Sequence, residues 1–237
     1  MHNKEGLIFV KTKLNNIKEL LTKYKHGWVF SYFIIYMIWF TYLEKTITTK
    51  FTPVYSKLDD LIPFAEIFII PYLLWFIYIF ITVMYFFLTS KTDFYKYCAY
   101  LFIGMTICLA IFTIWPNGHY LRENLNTLGR SNIFIDMMAK IYHIDTATNV
   151  FPSIHVFNSI GALIAIYKSE KLSKIRWIRW SGTILTVSIC MSTVFLKQHS
   201  IIDVFGGLAL GLVMYVVVYV PTWGKESKKV EQGLSNI

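Results

Sequence analysis

The chain has 237 residues, of which 55% are apolar, 18% aromatic and only 16% charged, with a formal charge of +9. So greasy a composition excludes a soluble domain of this length and puts the chain among polytopic membrane proteins. The basic residues stand beside apolar stretches, so membrane orientation and anionic headgroups account for the charge, and nucleic acid is not expected as a partner.

The first 26 residues lack the apolar core and small-residue cleavage site of a secretory signal. Leu14, Ile17, Leu20 and Leu21 interleave with Lys13, Lys18, Lys23 and Lys25, which predicts an amphipathic segment over residues 1–26 lying on the inner membrane surface. Six apolar stretches follow, at 27–43, 64–88, 94–114, 152–167, 177–195 and 200–220. A hydrocarbon core of about 30 Å takes roughly 20 helical residues to cross. The expected fold is therefore all-α, a polytopic bundle of six transmembrane helices forming one membrane domain over 27–221, with a basic cytoplasmic tail at 222–237. The fourth stretch is short by hydropathy, because Ser153, His155, Asn158 and Ser159 give it a polar face that neighbouring helices must shield. Cys98, Cys108 and Cys190 lie inside apolar stretches without paired or metal-ligand spacing and read as packing residues. Gly206, Gly207 and Gly211 read as close helix packing. His119 and His143 read as loop residues near the surface.

Lys and Arg counts set the orientation, since cytoplasmic connections carry the excess. The amino-terminal segment, the second and fourth connections and the tail hold sixteen; the opposite connections hold seven. Both termini are thus expected in the cytoplasm, most simply at a plasma membrane. His155 opens the fourth stretch and His199 closes the connection before the sixth, so parity puts both on the exterior face. Ionisable groups at membrane depth are costly and usually functional. Asp203 follows His199 at i,i+4, a spacing that brings a carboxylate behind an imidazole.

A histidine held by a carboxylate can attack an electrophile, and a second histidine can protonate the leaving group. Phosphorus esters suit such a pair, because in-line displacement needs a nucleophile on one side and an acid on the other. Candidate donors to the anion are Arg122, with Arg130 as a further loop cation, Lys197, and Ser153 at the start of the fourth helix, where Pro152 favours a first turn and free N–H groups attract phosphate.

These residues resemble the type 2 phosphatidic acid phosphatase superfamily, which also includes the vanadium haloperoxidase-like enzymes. Its Pro-Ser-x-His motif is matched by Pro152, Ser153, Ile154 and His155. Its third motif, Ser-Arg, five residues, His, three residues, Asp, is matched at Ser192, His199 and Asp203, with Thr193 in the arginine's place. In the first motif Arg122 takes the arginine position, Glu123 replaces the proline that follows it, and Trp115 stands at the lysine. The relaxed arginines and the run 149–155 resemble the branch of inositol phosphorylceramide and sphingomyelin synthases. The resemblance covers residues 60–220. It implies a six-helix haloperoxidase-like bundle, a covalent phosphohistidine on His199, orientation by Asp203, acid and base service by His155, and no metal or other cofactor. The implied activity is a lipid-phosphate phosphatase acting at the exterior face on a phosphorylated lipid that enters from the surrounding membrane lipids. A lipid phosphotransferase that passes a phospho-headgroup to an alcohol is the alternative, and a non-catalytic scaffold or transporter that keeps the fold is a third.

Overall fold

The computed structural model describes residues 13, 18, 19 and 21–220. The basic tail lies outside the described residues, as does most of the expected amphipathic segment. Among the described residues, seven α-helices run between Ser31 and Tyr219: α1 (Ser31–Thr46), α2 (Ile69–Thr89), α3 (Lys91–Ile114), α4 (Ile133–Ile144), α5 (Ile154–Lys168), α6 (Arg176–Phe195) and α7 (Ile201–Tyr219). Two-residue strands, β1 (Thr52–Pro53) and β2 (Asn117–Gly118), pair in parallel, and Gly118 also bridges Thr148.

Among the described residues, four helical segments are long and apolar enough to cross a bilayer: Glu66–Thr89, which includes α2, then α3, α6 and α7. Their 19 to 24 residues extend about 28–36 Å at ~1.5 Å per residue, against a hydrocarbon core of about 30 Å. Their outward faces are apolar, with Phe76, Phe80, Ile81, Ile103, Phe205 and Leu212 all exposed. Apolar surface on that scale belongs against lipid. The other two expected crossings are shorter, since α1 has 16 residues and α5 has 15. α1 is extended at its start by a tight turn over Lys25–Phe30.

α5 is short because it is interior. It packs against α2, α3, α6 and α7, and Asn158 and Ser159 are buried along with Val156, Phe157, Ala162 and Ile166. The Ser159 hydroxyl donates to the His155 carbonyl at 2.7 Å, satisfying a polar group that would be costly to bury alone. Close approach to α3 depends on two glycines. A Cβ on Gly104 would lie 2.0 Å from the Phe157 ring, and one on Gly161 would lie 2.3 Å from Tyr100. Tyr100 and Phe157 stack at 4.8 Å between centroids.

α4 lies in the connection between the third and fourth apolar stretches, where the sequence predicts no membrane span. Asn132 caps it by accepting from Phe134 and Ile135 N–H, and its inner face buries Ile135 and Met138. Its twelve residues are too few to cross the core, so it packs alongside α2 instead.

Candidate active site

α5 and α7 begin side by side. The Ser153 N–H donates to the Asp203 carbonyl at 3.1 Å, tying the first turn of one helix to the first turn of the other. Ser153 is the N-cap of α5, where its hydroxyl accepts from Val156 N–H at 3.4 Å. Ser200 is the N-cap of α7 and accepts from Ile202 N–H at 3.2 Å. Asp203 completes a capping box by accepting the Ser200 N–H at 2.9 Å.

The same Asp203 oxygen, Oδ2, accepts from His199 Nδ1 at 3.2 Å, and Asp203 is fully buried. A helix-capping residue thus also fixes an imidazole. With Nδ1 donating to the carboxylate, Nε2 keeps its lone pair, the state a nucleophilic imidazole needs. The His155 ring lies 5.6 Å from the His199 ring between centroids, in an edge-to-face arrangement. It is held between Tyr72 and Trp75, at 4.8 and 4.5 Å. Residues 44 apart in sequence therefore meet at one end of the bundle.

Both histidines line a cavity of about 540 Å³ that runs between α1, α2 and α3. Its length is apolar, formed by Phe33, Met37, Phe40, Trp75, Phe80 and Phe102 among others. Its polar end adds Glu44, Asp145, Thr146, Thr148, Asn149, Asn158 and Gln198. No Lys or Arg is among the described residues that line it. Glu44 is fixed by Asn149 Nδ2 at 2.6 Å and by the Thr146 hydroxyl at 2.6 Å. Asp145 accepts from the Tyr72 hydroxyl at 2.9 Å.

The expected phosphate donors lie around this cavity without lining it. Arg122 is half-buried, donating to the carbonyls of Tyr142 and Asp145 at 2.8 and 2.6 Å and to Gln198 Oε1 at 2.7 Å. Lys197 is buried and donates to the Asp59 carbonyl at 2.7 Å. The Ser153 hydroxyl serves the α5 cap. Arg130 faces solvent and pairs with Glu66 through two contacts of 2.7 and 2.9 Å. Among the described residues no three His, Cys, Asp or Glu side chains gather as metal ligands.

Several residues outside the sequence motifs build the frame. Asp59 is buried and accepts from Ser56 N–H, the Ser200 hydroxyl and Ile201 N–H at 2.8, 2.6 and 2.8 Å. It meets the α7 amino terminus where a negative charge suits the helix dipole. Asn117 accepts from the N–H groups of Val150 and Phe151 at 2.9 and 2.8 Å, fixing the approach to His155. Asn149 and Lys197 both have left-handed backbones, at φ 58° and 55°, and both flank the site, where such conformations tend to gather.

His119, expected near the surface, is instead 1% exposed. Its Nδ1 accepts from Leu121 N–H at 3.1 Å, so Nε2 carries the hydrogen and donates to the Gln198 carbonyl at 2.8 Å. Burial first, and then the neighbouring His199, push its pKa from 6.5 down to about 4. Folding therefore favours neutral His119, and this contribution is complete above pH 6.5 and lost as pH falls toward 4. The shift corresponds to an upper bound of about 3 kcal/mol. The melting temperature of the wild type should fall between pH 6.5 and 4, and His119→Asn should flatten that slope; an unchanged slope would remove the role given to His119.

A sequence model of the PAP2 superfamily matches residues 130–226. The matched stretch takes in α4 to α7 with His155, His199 and Asp203, and leaves α1 to α3 outside. No curated protein and no solved structure matches the chain.

Proposed function

We propose that this protein is a membrane lipid-phosphate phosphatase that works through a phosphohistidine. The observation that carries the reading is one cavity whose apolar length ends at two imidazoles, one of them backed by a buried carboxylate. Its volume lies in the range of small-molecule sites, and its aromatic and aliphatic walls suit an alkyl chain. The similarity to the PAP2 superfamily supports the same range of activities, phosphatase or related phosphotransferase.

In this reading His199 Nε2 attacks phosphorus as the bond to the lipid oxygen breaks, and His155 gives that oxygen a proton. Asp203 keeps the attacking ring in its Nδ1–H tautomer and stabilises the positive charge it acquires, the role a carboxylate plays in other histidine-based sites. His155 then takes a proton from water, the hydroxide attacks the phosphohistidine, and inorganic phosphate leaves with the imidazole restored. The lipid is drawn from the membrane, with the site on the exterior face and both termini in the cytoplasm, as the Lys and Arg distribution favours.

A second reading is favoured by a specific feature. Glu44, Asp145 and Asn149 make the polar end of the cavity rich in acceptors, which suits the hydroxyl groups of an alcohol. If that alcohol replaces water in the second step, the enzyme is a lipid phosphotransferase. Incubation of the purified protein with labelled phosphatidic acid, prenyl pyrophosphate and phosphatidylinositol, with and without a lipid alcohol, separates the two. Free phosphate is the result expected for the phosphatase, and a new labelled lipid supports the transferase. Neither product from any lipid would remove the enzymatic reading.

A further inference from the structure

Gln198 precedes His199, is 3% exposed and lines the cavity. Nearly all of its hydrogen-bonding capacity is committed to the fold. Its backbone N–H donates to the Thr193 carbonyl at 3.0 Å, and its carbonyl accepts from His119 Nε2 at 2.8 Å. Its side-chain Oε1 accepts from Arg122 at 2.7 Å. A guanidinium only donates, so the amide atom facing it must be the oxygen and the orientation of the carboxamide is decided. Nε2 is left buried with no partner.

Two unused N–H groups in a buried position carry a desolvation cost that a ligand would relieve. Rotation cannot recover them, because Arg122 is itself held by two carbonyls and lies 4.6 Å over the Tyr142 ring. The result is a rigid, uncharged donor, one residue from His199, on a side chain bordering a cavity that no Lys or Arg lines among the described residues. Catalysis of phosphoryl transfer rests on such fixed donors placed where charge gathers.

Building on the phosphohistidine reading, we infer that Gln198 Nε2 donates to a non-bridging oxygen of the transferring phosphoryl group, with Arg122 and His119 as positioning residues that aim it. Arg122 thus acts on the phosphate through the amide rather than by contact. The lost arginine at Thr193 is answered by a neutral donor that its neighbours hold in place.

The test uses the full chain in detergent micelles, with orthovanadate as a mimic of the transferring phosphoryl group. Q198E keeps an oxygen for Arg122 but cannot donate from its other oxygen when ionised, and Q198M removes the donor without adding charge. Each should lower kcat by about 10²-fold or more, the scale for loss of one such donor, with a smaller change in KM. Orthovanadate should stabilise the wild type against heat and bind both variants at least tenfold more weakly, while without it Q198E melts close to the wild type and Q198M, which deprives Arg122 of an acceptor, melts lower yet still cooperatively. Variants that turn over and bind orthovanadate like the wild type would overturn the inference and leave the phosphohistidine reading standing. A wild type that neither binds orthovanadate nor releases phosphate removes both.

Discussion

His199→Ala should abolish turnover of any lipid the wild type hydrolyses, with a loss of about 10⁴-fold or more, since removal of a nucleophile that works as part of a unit costs nearly the whole chemical acceleration. The fold should survive. His199 lies in the loop ahead of α7, and the braces around it come from other residues: Asp59 to Ser200 and Ile201, Asp203 to the Ser200 N–H, and Lys197 to the Asp59 carbonyl. Asp203 loses one donor in this variant and keeps the other. The check is phosphate release measured beside the melting temperature of the same preparation. Turnover within tenfold of wild type from a folded His199→Ala protein would remove the covalent mechanism.

His155→Phe should lose about 10²–10⁴-fold against lipid substrates, the usual scale for general acid–base catalysis. Phenylalanine keeps an aromatic ring between Tyr72 and Trp75, where His155 sits at 4.8 and 4.5 Å, so packing is preserved while the proton is lost. The defect should depend on the leaving group. An alkoxide leaving from a lipid needs the proton, whereas p-nitrophenolate departs without it, so the variant should recover most of its first-step rate with p-nitrophenyl phosphate. Burst-phase release of nitrophenol reads that step separately from the water-dependent step, which also uses His155. An equal loss of the burst on both substrates would show that His155 positions the phosphate instead of protonating the leaving oxygen.

How much of this was legible in the sequence follows from the range of each contact. The pairing of His199 with Asp203 spans four residues and needs only helical periodicity; the cap at Ser200 lies in the same turn. The polar face of α5 told that this helix would be surrounded, and Asn158 and Ser159 are indeed buried. The meeting of His155 with His199 is consistent with the chain order, in which α5 leads away from the site and α6 returns to it. α4 is marked by Ile135, Met138 and Ile141 at helical spacing, but its twelve residues fall well short of a membrane span and leave no hydropathy peak of that length.

The remainder was hidden because it is long-range. Lys197 looked like a free cation beside the nucleophile, yet its ammonium is taken by a carbonyl 138 residues earlier. Asp59 caps α7 from 141 and 142 residues away. Glu44 reaches Thr146 and Asn149 across 102 and 105 residues, and His119 holds the carbonyl of Gln198 across 79. No local pattern encodes which buried donor finds which acceptor. Arg122, a candidate phosphate donor by sequence, donates instead to two backbone carbonyls and to the Gln198 amide oxygen.

The proposed chemistry requires a phosphoryl group carried by one imidazole, that of His199. Rapid quench of the wild type with a ³²P-labelled lipid phosphate, followed by mass spectrometry under alkaline conditions that preserve phosphohistidine, should find the label on the peptide containing His199, stable to base and lost in acid. Active wild type that accumulates no label on His199 from the lipid, together with a His155→Phe variant that accumulates none from ³²P-labelled p-nitrophenyl phosphate, whose leaving group needs no proton, would contradict it.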